Sequence, residues 1–152
     1  MKPLNTTAAL QIFAAGTAPA DAAGLKILQI ANDAEVAELA AQGALDGVDR
    51  IELHFPKFTD GRAYSQAVLL RRRYRFRGDL RATGDVLIDL LVHMHRSGFS
   101  SAVLAEGVNA AAAERQFARY AAFYQGDVNE PRPLFAREAA HLAAQDAVLE
   151  AA

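Results

Sequence analysis

The feature that most constrains the fold is a short apolar run followed by a helix-like pattern, repeated four times. The runs are LKILQI, RIELHF, DLRA and SAVLA, and a turn and apolar residues at helical spacing follow each one. Short connections between alternating strands and helices favour a parallel sheet with right-handed crossovers. The sequence therefore predicts an α/β fold with a four-stranded, mainly parallel sheet. An open sheet is the preferred arrangement, and a half-barrel of four strand–helix units is the alternative.

The second run places two ionisable side chains on one side of a strand. In RIELHF the apolar residues alternate with Glu52 and His54. A central strand of a parallel sheet that is covered on both faces normally reads as continuously apolar. Glu52 and His54 therefore either face water, on an edge strand or a solvated face, or line a polar cavity such as a half-barrel would provide.

Capping residues and glycines set the predicted helix boundaries. The predicted N-terminal caps are Asn32 for the first helix, Thr59 or Asp60 for the second, and Asn109 for the fourth. The second helix is expected to run to about residue 74, and Gly98 is expected to end the third. The fourth helix is expected to bury Ala113, Phe117, Tyr120, Ala121 and Tyr124.

The chain is expected to form one domain with two less regular ends. A length of 152 residues suffices for one hydrophobic core. Residues 1–24 are predicted to form a loosely ordered arm, with a short strand at 10–13. Residues 25–126 are predicted to form the α/β domain, and residues 127–152 a tail that either forms a marginal helix or binds a partner.

Composition excludes several classes of site. The chain has no cysteine, which excludes disulfides, thiolate metal sites and cysteine-ligated clusters. His93 and His95 are two residues apart and point to different faces of a helix, so no metal site is predicted. No apolar run reaches the length of a membrane span, and the N-terminal segment lacks the pattern of a signal peptide. A cytoplasmic location is therefore expected.

Polar residues cluster where the predicted strands end. Seven arginines lie between positions 62 and 81, and the carboxylate among them is Asp79. Functional groups of α/β folds gather beyond the carboxyl ends of the strands, and helix N-termini with nearby guanidinium groups suit an anion. No catalytic residue is assigned. The predicted anion or ligand site comprises Lys57, Thr59, Asp60, Arg62, Tyr64, Ser65, Arg81, Thr83, Asp85 and Glu106.

Six of these residues also have a purely structural interpretation. Asp60 and Asp85 can be helix caps, and Arg62 and Arg81 can pair with those two aspartates. Tyr64 and Ser65 can serve packing alone. The arginines at 71–73 are expected on the outer side of the last turn of the second helix, where the helix dipole favours cations. The string RRRYRFR also interleaves aromatic residues with arginine, as single-strand binders do.

The strings FPKFTDGRAYSQAVLLRRRY, GDLRATGDVLIDLL and HRSGF resemble the shared core of a bacterial protein family of unknown function. The resemblance covers about Ile51 to Phe99 and continues more weakly to Tyr124. Members of that family are described as oxidoreductases that accompany sulfite reductase in sulfate assimilation. This chain departs from the family pattern at Ala63, where a glycine is common, and at Leu90, where a glutamine is common. The resemblance implies a pathway, sulfur assimilation, and no mechanism.

Two functions of different classes follow from these observations. The first is an accessory or oxyanion-binding protein of assimilatory sulfite or sulfate reduction, which docks to sulfite reductase or another protein of that pathway. The second is a small oxidoreductase that borrows a flavin or nicotinamide cofactor, although the chain lacks a dinucleotide fingerprint. An interaction module that forms a homodimer is a third hypothesis. The net charge of -2 does not favour binding of the chain to nucleic acid, and no membrane partner is expected.

Overall fold

Five parallel strands form one open sheet. The computed structural model describes residues 10–120 and 122–139. The strands are β1 (Gln11–Phe13), β2 (Ile27–Ile30), β3 (Arg50–Phe55), β4 (Asp79–Gly84) and β5 (Ser101–Val103). They lie in the order β1-β5-β4-β3-β2, and every neighbouring pair is parallel. The predicted α/β fold with an open parallel sheet is confirmed, with one strand added to the predicted four.

The added strand comes from the N-terminal segment. Strand β1 belongs to the predicted arm of residues 1–24, but it pairs with β5 along its whole length. Leu10, just before it, is buried. Because β1 and β2 lie at opposite edges of the sheet, the connection 14–26 has to cross from one edge to the other. Asp21 in this connection forms an ion pair with Arg50 of β3 at 2.7 Å.

Four helices follow β2 to β5 in turn. They are α1 (Val36–Ala41), α2 (Arg62–Arg72), α3 (Leu91–Ser97) and α4 (Ala113–Phe117). Short 3-10 turns at Ile88–Leu90 and Ala110–Ala112 lead into α3 and α4. Residues 134–139 are also helical. Within the described ranges, no helix has both the length and the apolar character that a membrane span requires.

The hydrophobic core lies between the helices and one face of the sheet. Ile51, Leu53 and Phe55 of β3 are fully buried there. Strands β4 and β5 add Leu80, Ala82 and Ala102, and the helices add Val36, Ala63, Ala67, Leu70, Leu91, Met94 and Ala113. The alternate residues of the strands form the opposite face, here called the polar face, which includes Gln29, Arg50, Glu52, His54, Asp79, Arg81, Thr83 and Ser101.

The observed helix boundaries follow some of the predicted signals. Gly98 ends α3 in the left-handed conformation, with a φ of 107°, and the Asn109 side chain accepts a hydrogen bond from the backbone N–H of Ala111 at 2.9 Å. The prediction for Gly98 is confirmed, whereas Asn109 caps the 3-10 turn that leads into α4 rather than α4 itself. The predicted N-terminal cap at Asn32 is wrong, because α1 begins after Glu35 without a side-chain cap and Asn32 bonds to Asp60 instead.

The last predicted helix is shorter than expected. It ends at Phe117, so Tyr120 and Tyr124 do not continue its buried side. Both tyrosines are exposed, at 61% and 74%. Ala121 lies outside the described residues. The segment after α4 instead packs by polar contacts: Asp127 pairs with Arg96 at 3.0 Å, and the N–H of Val128 donates to the Arg96 carbonyl at 3.1 Å.

Arg71 points inward, contrary to the prediction for the arginines at 71–73. Its guanidinium donates hydrogen bonds to the carbonyl oxygens of Phe76 and Gly78, both at 2.9 Å, and of Gly98 at 2.8 Å. These carbonyls belong to the loop before β4 and the turn after α3. Arg71 therefore joins two connections at the amino end of the sheet, and burial lowers its pKa.

Candidate functional site

A row of polar residues crosses the polar face from one edge of the sheet to the other. The strand register aligns one residue from each strand, in the order Gln29, Glu52, Arg81, Ser101 and Gln11. In the next row toward the carboxyl ends, His54 of β3 lies beside Thr83 of β4. Parallel sheets normally bury both faces under apolar side chains. A row of this kind therefore needs either a structural or a functional explanation.

A cleft of about 380 Å³ opens at the carboxyl ends of β2, β3 and β4. Its polar lining is made by the side chains of Gln29, Asn32, Glu52, His54 and Thr83, and Ile30 and Ala31 complete it. The cleft lies on the polar face, because Gln29, Glu52, His54 and Thr83 share that face. A cleft of this volume is within the size range of small-molecule binding sites.

The groups in the cleft hold one another in place. Glu52 accepts hydrogen bonds from Gln29 Nε2 at 3.1 Å and from Arg50 Nε at 3.0 Å, one on each carboxylate oxygen. Thr83 Oγ1 and His54 Nδ1 are 3.4 Å apart. Arg50 also pairs with Asp21, so its guanidinium offsets only part of the charge of Glu52, and the carboxylate adds somewhat less negative potential to the cleft than its position suggests.

Arg81 belongs to a second network on the same face. Its Nε donates to Ser101 Oγ at 2.9 Å, and a terminal nitrogen pairs with Asp79 at 3.1 Å. Its guanidinium also lies over the ring of Phe13, 5.1 Å from the centroid. Arg81 is 8% exposed. The side chain is therefore neutralised within the sheet, and it does not line the cleft.

Arg62 forms its own ion pair on the rim above α2. Its guanidinium makes two hydrogen bonds to Asp60, at 3.0 and 2.7 Å, and Asp60 also accepts from Asn32 Nδ2 at 2.6 Å. The guanidinium and the backbone N–H of Arg62 lower the pKa of Asp60 from 3.8 to about 2. The two arginines that were expected to share one pocket, Arg62 and Arg81, thus occupy separate networks.

The loops after β3 and β4 do meet. The carboxylate of Asp85 accepts a hydrogen bond from the backbone N–H of Phe58 at 2.8 Å, and the N–H of Asp85 donates to the Phe55 carbonyl at 2.8 Å. Asp85 therefore fastens the β3–α2 loop to the end of β4. Through Asn32 and Asp60, the loop after β2 joins the same rim. The remaining predicted site residues Lys57, Thr59, Ser65 and Glu106 are exposed.

Tyr64 lies on the helix side of the sheet rather than in the cleft. Its ring packs against Phe55, His93 and Phe99, with centroid distances of 5.1, 4.2 and 6.4 Å. Its hydroxyl is buried and has no hydrogen-bond partner among the described residues. Burial, with a smaller contribution from Asp89, raises the pKa of Tyr64 to about 12.

Gln29, Glu52 and His54 were not among the predicted site residues, although they line the cleft with the predicted Thr83 and with Asn32, a polar residue expected at the end of the first strand. The alternation in RIELHF was the signal for Glu52 and His54, and Gln29 interrupts an otherwise apolar run. Within the ranges that the structure describes, no group of three or more His, Cys, Asp and Glu side chains is placed to bind a metal ion. The cleft thus offers amides, a hydroxyl, an imidazole and a carboxylate that shares Arg50 with Asp21.

Comparison with known proteins gives a family match. The model of a family described as "Bacterial protein of unknown function (DUF934)" matches residues 27–135, which include every residue of the cleft. No curated protein and no solved structure matches the chain.

Proposed function

The chain belongs to DUF934, a family of bacterial proteins of unknown function, and we propose that it is an accessory protein of assimilatory sulfite or sulfate reduction that binds an oxyanion-bearing ligand in the cleft. The observation that carries the binding part is the convergence of Asn32, Gln29, Thr83 and His54 in one cleft. The pathway part follows from the resemblance of FPKFTDGR and LRATGD to the family described above.

The donors in the cleft are compatible with an oxyanion. Each amide nitrogen of Gln29 and Asn32 uses one hydrogen within the protein, on Glu52 and Asp60 respectively, and carries a second. The hydroxyl of Thr83 and the imidazole of His54 can also donate. Since Glu52 is bonded to Arg50, its repulsion of an anion is reduced. Arg62 lies on the adjacent rim, where its ion pair with Asp60 carries no net charge.

The volume of the cleft favours a ligand larger than a bare ion. About 380 Å³ falls at the lower end of the range of roughly 300–1,000 Å³ that small-molecule sites occupy. Adenylylated sulfate, which carries both an oxyanion and a polar nucleoside, is therefore a better candidate than sulfite alone.

Titration calorimetry tests the binding part. Adenylylated sulfate, sulfite, sulfate and phosphate are titrated into the purified protein, into Thr83→Val and into His54→Ala. We expect adenylylated sulfate to bind most tightly, and each variant to bind it about tenfold more weakly because one donor is lost. The matched control is Glu114→Gln, an exposed change on α4. If none of the anions binds, or if the variants bind as well as the wild type, the binding part is wrong.

Two additional measurements separate this function from its alternatives. Flavin mononucleotide and NADPH are titrated in the same way, and tight binding of either would favour the small oxidoreductase instead. A deletion strain supplied with sulfate as the sole sulfur source tests the pathway part. We expect slow growth that cysteine or the wild-type gene restores and the Thr83→Val gene does not. Normal growth of the deletion strain on sulfate would contradict the pathway.

A further inference from the structure

Four exposed arginines lie together at the opposite end of the sheet from the cleft. They are Arg72, Arg73, Arg75 and Arg77, here called the arginine patch. They occupy the end of α2 and the loop that leads into the amino end of β4. The cleft lies at the carboxyl ends of the strands, so the patch is a separate surface.

The charges of the patch are not compensated within the described part of the chain. None of the ion pairs between described residues includes any of the four arginines. Arg72 donates to the backbone carbonyl of Asp127 at 3.1 Å, which leaves its charge in place. Arg71 differs from its neighbours, since its hydrogen bonds to three carbonyls give it a structural role.

The helix dipole explains only part of this cluster. Arg72 and Arg73 lie at the C-terminal end of α2, where a cation is favoured. Arg75 and Arg77 lie beyond the helix. Arg75 has a φ of 56°, a left-handed conformation that costs a non-glycine residue about 1–2 kcal/mol and that glycine would adopt more easily. An arginine at this turn therefore needs another reason.

The surroundings of the patch favour a protein partner over a nucleic acid. Single-strand binders stack bases on free aromatic faces. Here Tyr74 and Phe76 are partly buried against the core. The Arg73 guanidinium lies over the Tyr74 ring, 5.7 Å from its centroid, and the Arg71 guanidinium lies over the Phe76 ring, 5.5 Å from its centroid. The whole chain carries a net charge of -2, so the remainder without the four arginines carries -6. A long polyanion would therefore meet repulsion beyond the patch.

An apolar residue adjoins the patch. Leu69 is 40% exposed and lies three and four residues before Arg72 and Arg73, which places the three side chains on the same side of α2. We propose that the arginine patch and Leu69 form a docking surface for a partner protein, whose complementary segment is acidic and carries one large apolar side chain. Guanidinium groups suit this role because they bind carboxylates in a forked geometry and are enriched at protein interfaces.

Fluorescence anisotropy tests this surface with a defined probe. The probe is a short fluorescein-labelled peptide of glutamates with one central phenylalanine. A second peptide has alanine at the centre, and an oligodeoxythymidylate of equal charge serves as the nucleic-acid probe. We expect the phenylalanine peptide to bind most tightly, with an affinity that falls as salt rises. The triple change Arg73→Gln, Arg75→Gln and Arg77→Gln should weaken this binding about tenfold or more.

Two matched variants make the result specific. Changing Arg115, Arg119 and Arg132 to glutamine removes the same charge from other exposed positions and should leave the peptide affinity nearly unchanged. Leu69→Ala should weaken binding of the phenylalanine peptide but not of the alanine peptide. The proposal is overturned if the wild type does not bind the peptide, if both triple variants lose affinity equally, or if the oligonucleotide binds more tightly.

Two other measurements connect the surface to the rest of the molecule. Sedimentation should show a monomer. Self-association that increases with protein concentration and that the patch variant abolishes would instead mean that the surface binds a second copy of the chain. Calorimetry with adenylylated sulfate should give the same affinity for the patch variant as for the wild type. The proposal for the docking surface and the proposal for the cleft can therefore be contradicted independently of each other.

Discussion

At the scale of single residues, most of the charged side chains near the cleft bind other parts of the protein. Asp60 holds Asn32 and Arg62, Asp85 holds the backbone of Phe58, and Arg81 is bonded to Ser101 and Asp79. The structural interpretation of Arg62, a pair with Asp60, is confirmed. For Arg81 the partner is Asp79, which the sequence alone did not indicate. Such pairs fix loop geometry and leave fewer free charges for a ligand.

The Asp60–Arg62 pair makes a prediction about titration. The pKa of Asp60 is lowered to about 2, so the pair favours the folded state above the ordinary pKa of 3.8, and its contribution is lost as the pH falls through about 2. NMR detection of the side-chain carboxyl should give a midpoint near 2. Arg62→Gln should move it toward 3.8, whereas Arg115→Gln should not. A midpoint already near 3.8 in the wild type would mean that the pair does not persist in solution.

The buried hydroxyl of Tyr64 makes a prediction about stability. A buried polar group without a partner costs free energy, so Tyr64→Phe should raise the free energy of unfolding by about 1 kcal/mol. Urea denaturation measures the change, and Tyr74→Phe, at a partly exposed position, serves as the control. Because Tyr64 lies outside the cleft, the variant should also bind adenylylated sulfate normally. A loss of stability would indicate that the hydroxyl has a partner, such as a buried water molecule.

At the scale of secondary-structure elements, close approaches between strand ends depend on particular glycines. Gly84 ends β4 with a φ of 91°, and a β-carbon there would collide with the Phe55 carbonyl and the His54 ring. Gly107 has a similar φ of 80°, but a β-carbon there would meet open space. The two positions thus separate the conformational cost of a side chain from the steric cost.

Alanine substitution at these two glycines should give different losses. Gly107→Ala should lower the free energy of unfolding by about 1 kcal/mol, the cost of the left-handed conformation alone. Gly84→Ala should lower it by about 3 kcal/mol or more, because the β3–β4 pairing must also shift. Thermal or urea unfolding measures both. Equal losses would mean that the ends of β3 and β4 are farther apart than described.

The connections at the amino end of the sheet depend on Arg71. Replacing it with methionine keeps much of the side chain's bulk but leaves three carbonyl oxygens without their donor. We expect a loss of about 3 kcal/mol in the free energy of unfolding. Arg73→Met, on the exposed side of the same helix end, should change stability by less than about 0.5 kcal/mol. Similar effects at the two positions would contradict the inward position of Arg71.

At the scale of the whole molecule, helices α1 to α4 cover one face of the sheet. The other face is stabilised by the ion pairs of Arg50 and Arg81 and by the connection that carries Asp21. Strands β3 and β4 lie in the inner part of the sheet and pair with each other over six residues. Strand β1 lies at an edge and pairs over three residues. Stability should therefore decrease from the centre of the sheet outward.

Hydrogen exchange tests this gradient. The backbone amides of β3 and β4 should exchange most slowly and share the free energy of global unfolding. The amides of β1 and of residues 122–139 should exchange faster, through local openings that cost less free energy than global unfolding. Mass spectrometry of proteolytic fragments or NMR can measure both sets. Protection of β1 equal to that of β3 would show that the edge strand unfolds together with the centre.

The sequence by itself determined the features that local patterns control. Period-two alternation placed Glu52 and His54 on one face of β3, and the alternation of strands and helices predicted the open parallel sheet. Gly98 and Asn109 mark helix boundaries because their conformational and capping preferences act within a few residues. The loops after β3 and β4 also meet as expected, since neighbouring parallel strands end at the same edge.

Contacts between distant parts of the chain were decided only by the tertiary structure. The pairing of β1 with β5 joins residues about ninety positions apart, and a three-residue strand carries no signal of its partner. Arg81 turns to Asp79 and Ser101 because the strand register brings Ser101 beside it. Gln29 enters the cleft for the same reason, through its alignment with Glu52. Register and edge position depend on the free energy of the whole sheet, which no short window of sequence contains.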